Sequence, residues 1–354
     1  TRIKKILDHG KYIMGPEVKE LEERLSDYIQ VKHCISCSSG TDALLIPLMS
    51  MDIGPGDAVL TTPFTYIATA EVIALLGATP VFCDIYEKTF NINPEALNEA
   101  YNYAISKDLT PKAIIPVDLF GLPARYRLIE EFAKEKNIYI LEDAAQGFGG
   151  RIGLKKACSF GDVAGTSFFP AKPLGCYGDG GAIFTNNDSF AEKMKSIRVH
   201  GSGNDKYENI RFGLNGRLDT IQAAVVLEKL KIFDRELNKR NNIANYYTEN
   251  ISKKYITPHI PDKYFSSWAQ YSILIPRDLE KDYLIKTLTE KNIPSMVYYK
   301  IPVHLQTGYK QYGYFKGDFP ISEDVSDRII SLPMHPYLDK KNQNKVIEAL
   351  NILV

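Results

Sequence analysis

Residues 165–185 read GTSFFPAKPLGCYGDGGAIFT, and the rest of the chain is best understood outward from this stretch. Lys172 stands between Pro170 and Pro173, with Gly175, Gly178, Gly180 and Gly181 crowding the turn that follows. Proline fixes its own φ and restricts the residue before it, while glycine permits tight turns or the close approach of a bulky ligand. A lysine pinned in this way can be desolvated, which lowers its pKa and makes the amine a Schiff-base nucleophile. Solvated lysines beside ordinary turns are far commoner, so the neighbours decide.

Upstream lies Ile138-Tyr139-Ile140-Leu141-Glu142-Asp143, followed by Ala144-Ala145-Gln146. This reads as a buried strand that delivers Asp143 to its C-terminal end, where ligands bind in open α/β sheets. A Schiff-base lysine with a carboxylate at a strand end suits pyridoxal 5'-phosphate (PLP). The PLP ring withdraws electrons only while its pyridine nitrogen is protonated, and a buried aspartate keeps it so.

Apolar runs of strand length at His33 to Cys37, Ala58 to Thr61, Pro80 to Asp84, Ala113 to Val117 and Ile138 to Leu141 frame this strand. Helical periodicity at Val18 to Ile29, Thr69 to Leu76, Pro94 to Ala104 and Leu128 to Lys136 alternates with them. Val163 to Phe168 and Ala182 to Thr185 add strands on either side of the lysine loop. The alternation predicts an α/β fold with a mainly parallel central sheet covered on both faces. Thr220 to Asn250 is expected to form one long helix bridging two domains. Beyond it, Tyr271 to Ile275 and Ser295 to Tyr298 read as strands, and Tyr283 to Lys291 and Asn342 to Leu353 as helices. The expected division is a large α/β domain over residues 1–235, with an N-terminal helix, and a smaller C-terminal α+β domain over residues 236–354.

Ser39-Gly40-Thr41-Asp42 opens a helix after the first strand. Small hydroxyl and glycine residues there either cap the helix or aim free N–H groups at an anion.

The 43 basic and 43 acidic side chains balance, which argues against nucleic acid as partner. No apolar run is long enough for a bilayer and no signal peptide opens the chain, so a cytoplasmic protein without membrane contact is expected. Five cysteines fit reduced thiols better than a disulfide framework. Cys34-Ile35-Ser36-Cys37 lacks a second pair to complete a zinc set and reads as part of a strand, so no metal is expected. Nucleotide fingerprints of the G-x-G-x-x-G and G-x-x-x-x-G-K-[ST] kinds are absent.

With these pieces placed, the chain resembles the DegT/DnrJ/EryC1/StrS family of PLP-dependent sugar aminotransferases. The likeness runs from Tyr12-Ile13-Met14-Gly15-Pro16-Glu17-Val18 to Ser331-Leu332-Pro333-Met334-His335-Pro336-Tyr337-Leu338. It rests most on Ser39-Gly40-Thr41-Asp42-Ala43-Leu44, Glu142-Asp143-Ala144-Ala145-Gln146 and Ser167-Phe168-Phe169-Pro170-Ala171-Lys172. The resemblance implies the aspartate-aminotransferase-like fold type I. It makes Lys172 the Schiff-base lysine, Asp143 the partner of the pyridine nitrogen, and Gln146 a neighbour of the ring hydroxyl. Gly40, Thr41 and Ser167 would hold the phosphate, and Tyr66 would stack on the ring. Asn215 would reach the phosphate of the neighbouring subunit, which implies a homodimer with shared active sites.

Arg217, Tyr299 and His304 match positions that face the nucleotide sugar. The family's usual N-terminal lead-in is expected to be missing here. The implied reaction takes an amine from glutamate, leaving 2-oxoglutarate and pyridoxamine phosphate (PMP), and passes it to a keto sugar. The lysine motif looks most like enzymes that aminate C3 of UDP-linked 3-keto-N-acetylglucosamine or its uronic acid, serving bacterial surface glycan or lipid A synthesis. The alternative is a 3- or 4-aminotransferase acting on a dTDP- or UDP-linked 6-deoxy keto-sugar. Related PLP-dependent sugar dehydratases carry histidine in place of the lysine, and Lys172 speaks against that class.

Overall fold

The computed structural model describes residues 1–205 and 207–354. Its main sheet has seven strands: β1 His33–Cys37, β2 Asp57–Thr61, β3 Thr79–Phe82, β4 Thr110–Ile114, β5 Tyr139–Asp143, β6 Val163–Ser167 and β7 Gly181–Thr185. Their order across the sheet is β1-β7-β6-β5-β4-β2-β3. The pairs from β6 to β3 are parallel, and β7 runs antiparallel to both β6 and β1. The sheet is thus mainly parallel, as expected.

Side-chain alternation explains how both faces are filled. Cys34, Ala182 and Phe184 enter one core with Leu21, Leu25, Val226 and Phe233 from the helices Pro16–Ile29, Thr220–Leu230 and Phe233–Asn250. Ile35, Cys37 and Ile183 point the other way, to Leu44, Val72 and Met194 of the helices Asp42–Ser50, Ala68–Leu75 and Asp188–Ile197. Both cysteines of the Cys34-to-Cys37 motif are therefore buried strand residues.

Register then sets the working edge. Cys37 and Ser167 both pair with Gly181, and Asp143 pairs with Gly165. The residues following β1, β5 and β6 consequently meet at one edge of the sheet.

Two expectations are corrected. The helix expected over Thr220 to Asn250 is two helices, Thr220–Leu230 and Phe233–Asn250. The second does link two cores: Phe233 and Leu237 pack in the first, while Ile243, Ala244 and Tyr247 pack in another with Trp268, Leu284, Ile330 and Leu350. Ser295 to Tyr298 forms no strand; Met296 makes a single bridge to Ser331. The partner of Tyr271–Leu274 is instead Ile329–Leu332, running antiparallel. At the chain start, Arg2–His9 is a helix capped by the Thr1 hydroxyl, with Ile6 on its buried side. Among the described residues, no helix is long and apolar enough to cross a membrane.

Candidate active site

The loop joining β6 to β7 is closed on itself. The N–H of Lys172 donates to Phe169 O at 2.8 Å, that of Cys176 to Phe168 O at 2.7 Å, and that of Phe168 to Gly180 O at 2.7 Å. A β-carbon at Gly175 would stand 2.6 Å from Pro170 O, so this turn admits only glycine without shifting. The Lys229 ammonium donates to Gly175 O at 2.6 Å, and the Gln222 side chain accepts from the Tyr177 N–H at 2.8 Å. Lys172 is half-buried. Its ammonium makes no hydrogen bond or ion pair among the described residues. Desolvation lowers its pKa, against the pull of the Asp143 carboxylate.

Asp143 closes β5 at 4% exposure. Its Oδ2 accepts from the Thr69 hydroxyl at 2.8 Å and its Oδ1 from the Ala145 N–H at 3.1 Å. Burial pushes the carboxyl up; Thr69, Ala145 and the facing Lys172 pull it back. Thr69 has one proton and gives it to Asp143, so the 3.0 Å contact between Thr65 and Thr69 must be donated by Thr65. The Gln146 side chain accepts from the Phe120 N–H at 2.7 Å and donates to the Tyr299 hydroxyl at 2.9 Å. The Tyr299 ring stands edge-on to Phe64 and tilted against Tyr66, and Tyr66 itself is 59% exposed. Lys172, Asp143, Gln146, Tyr66 and Tyr299 thus gather in one place.

The second group lies beside them along the same edge. A β-carbon at Gly40 would come within 2.6 Å of Ser167 Cβ, so glycine lets the turn after β1 press against the end of β6. The Ser39 hydroxyl, not that of Thr41, accepts the Asp42 N–H of the following helix, at 3.0 Å. Among the described residues nothing takes the N–H groups of Gly40 and Thr41. Ser167 Oγ accepts from the Phe169 N–H at 3.2 Å and keeps its own proton to donate.

Three further residues stand apart. Asn215 is exposed and accepts from the Arg217 guanidinium, whose buried Nε has no partner among the described residues. His304 is wholly buried rather than on the open side. Its Nε2 lies 3.2 Å from Glu323 and its ring is edge-on to Phe319, so the structure does not bring it to the surface shared by the others. Thr69 and Phe120 carry contacts that the sequence offered no way to assign, since a threonine in the first turn of a helix looks like any other.

An unpaired, partly desolvated lysine facing a buried carboxylate, with an open row of N–H groups nearby on a mainly parallel α/β sheet, defines an aminotransferase-type enzyme site. The chain belongs to the DegT/DnrJ/EryC1/StrS aminotransferase family, which it matches over residues 1–351. It is 44% identical over 351 residues to a UDP-2-acetamido-2-deoxy-3-oxo-D-glucuronate aminotransferase of Pseudomonas aeruginosa, covering 98% of this chain and 94% of that one. It is similar to the crystal structure of a family aminotransferase from Brucella abortus, at TM-score 0.95 and 49% identity, covering 98% and 93% of the two chains. It is also similar to NtdA from Bacillus subtilis with bound cofactor PMP, at TM-score 0.90 and 29% identity, covering 99% and 80%. The fold is the fold type I expected from the sequence.

Proposed function

We propose that this chain is a PLP-dependent aminotransferase that moves an amino group from glutamate to the C3 keto group of a UDP-linked N-acetyl keto-hexose or keto-hexuronic acid. The observation that carries the reading is the placement of the unpaired Lys172 ammonium within electrostatic reach of the buried Asp143 carboxylate. The substrate class is supported by the Pseudomonas aeruginosa relative and the cofactor by the PMP-bound NtdA.

The residues present fit the cofactor. Asp143 is a buried acid whose carboxyl is pushed up by desolvation, and a pyridinium N–H would offset that cost. Gly40 and Thr41 offer unmatched N–H groups and Ser167 a free hydroxyl proton for a phosphate. When bound, PLP supplies the electron sink that makes the carbon beside the amine acidic. Lys172 would hold the cofactor between turnovers and would move the proton as base and then acid, a role its lowered pKa favours. Asp143 would keep the ring nitrogen protonated, with Thr69 fixing its carboxylate. Gln146 would stand by the ring hydroxyl and Tyr66 would lie over the ring. Tyr299 and Arg217 face the sugar nucleotide.

Asn215, exposed and with its side chain engaged by Arg217, is read as serving the phosphate of a second copy, which makes the enzyme a homodimer with shared sites. The division into domains 1–235 and 236–354 belongs to this reading, supported by a separate core that begins at Ile243.

The experiment is incubation of the protein with glutamate and a panel of enzymatically made keto-sugar nucleotides, read by mass spectrometry. Amination of UDP-linked 3-keto-N-acetylglucosamine or its uronic acid is expected. Amination of 4-keto or dTDP-linked 6-deoxy sugars alone would replace the substrate, and no amination of any would sink the reading.

A further inference from the structure

Two acids that take no part in this chemistry lie directly beside Asp143. Asp118 and Glu142 are both wholly buried, and their carboxyl groups lie within hydrogen-bonding reach of each other. Glu142 has both oxygens filled by main chain: one accepts the Cys158 N–H at 2.6 Å and the other the Phe160 N–H at 2.8 Å. On Asp118, Oδ1 accepts the Ala124 N–H at 3.0 Å and the Tyr126 hydroxyl at 2.8 Å. Its Oδ2 meets no donor among the described residues, and Gly147 packs so near that a β-carbon there would lie 2.5 Å away. Two carboxylates offer only acceptors and cannot bond without a proton between them, and two bare charges do not persist in a dry interior.

We infer that Asp118 and Glu142 share one proton, carried on Oδ2 of Asp118 and donated to Glu142, and that this pair holds the frame in which Asp143 and Gln146 stand. The frame is visible in the main chain. The Asp118 N–H donates to Asp143 O at 3.0 Å, the Asp143 N–H donates to Pro116 O at 2.9 Å, and two residues past Asp118 the Phe120 N–H grips Gln146. The shared proton also settles charge. Three carboxyls crowd together here, and one proton shared by the outer two removes one of the negative charges that would otherwise press on Asp143, which favours its ionised form on the cofactor side. Asp118 is in this sense a positioning residue. That half of the inference rests on the role proposed above for Asp143, whereas proton sharing does not.

Burial pushes both carboxyls of the pair up. The other groups facing Asp118 are Asp143, Tyr126, Cys158 and Tyr264, the last three kept protonated because burial raises them as well. An unfolded aspartate releases its proton near pH ~4, whereas the folded pair keeps one. The contribution to folding is therefore complete at the acid end and is lost as pH rises through the raised folded value.

Asp118→Asn tests this, because its amide donates to Glu142 while its oxygen still accepts from Ala124 and Tyr126, imitating the protonated acid at every pH. Urea unfolding of the full chain, stripped of PLP, should show D118N gaining on the wild type by at least about tenfold in folding constant between about pH 5 and about pH 8. Asp118→Ala, which abandons the Glu142 charge, should bind PLP at least about tenfold more weakly, with D118N restoring affinity to within about twofold. Parallel stability curves for wild type and D118N would overturn the shared proton. D118N binding PLP as poorly as D118A would overturn the positioning role. The unfolding readout needs no amine transfer, so an enzyme inactive on every sugar would leave it standing.

Discussion

The site has two sides, built on different terms. On the inner side, Lys172 sits in a loop closed by its own main chain, and Asp143 and Gln146 are buried with their side chains engaged by Thr69, Ala145, Phe120 and Tyr299. On the outer side, Tyr66 and Asn215 are exposed, Arg217 has a buried Nε without a partner among the described residues, and Phe212 is 95% exposed. The inner side is complete within one chain. The outer side stands open, and a second copy and the substrate are proposed to complete it.

The comparison breaks first at Lys172. Lys172→Ala removes the proposed nucleophile and proton carrier together and should lower kcat by at least about 10³-fold, with loss of the bound cofactor's visible absorption band. Retained turnover would show that the inner side does not carry the chemistry. Asp143→Ala strips a buried partner, at a cost of about 3–5 kcal/mol in the transition state, or roughly 10²–10⁴-fold in rate, while leaving the fold intact by circular dichroism.

The outer side is probed by Asn215→Ala, which should weaken cofactor binding about ten- to a hundredfold by removing the hydrogen bond proposed for it to a charged phosphate. Mixing inactive K172A with N215A should then restore activity to about a quarter of wild type if sites are shared across a two-fold interface. No recovery on mixing would confine each site to one chain.

The smallest effect is expected at His304. Burial lowers its pKa despite the pull of Glu323. Its contribution to stability is present above the ordinary histidine value near ~6.5 and is lost as pH falls through the depressed folded value. His304→Gln should flatten that acid limb in urea unfolding while leaving turnover at neutral pH within about threefold, consistent with a residue enclosed away from the sugar.

What could be read from the chain alone follows the same division. The buried strands were legible because residues packed on both faces give short unbroken apolar runs, and β1 was found to the residue. The break between Leu230 and Phe233 was not, because helical spacing continues across it with no glycine or proline to mark the stop. Ile329–Leu332 escaped because a four-residue strand directly after the helix Pro320–Arg328 looks like that helix continuing. In the site, Lys172 and Asp143 were legible from residue type and place. The contacts that steady them, from Thr69 and the Phe120 N–H, depend on chain segments meeting in space and leave no trace in spacing.

The hydroxyl chain from Thr65 through Thr69 to Asp143 has a mechanical meaning. Tyr66 is carried on the turn between those two threonines, so the exposed ring and the buried acid hang from one short segment of chain. If the ring takes the stacking role proposed for it, a ligand that tips it is expected to load the carboxylate through the two hydroxyls, without any part of the sheet having to move.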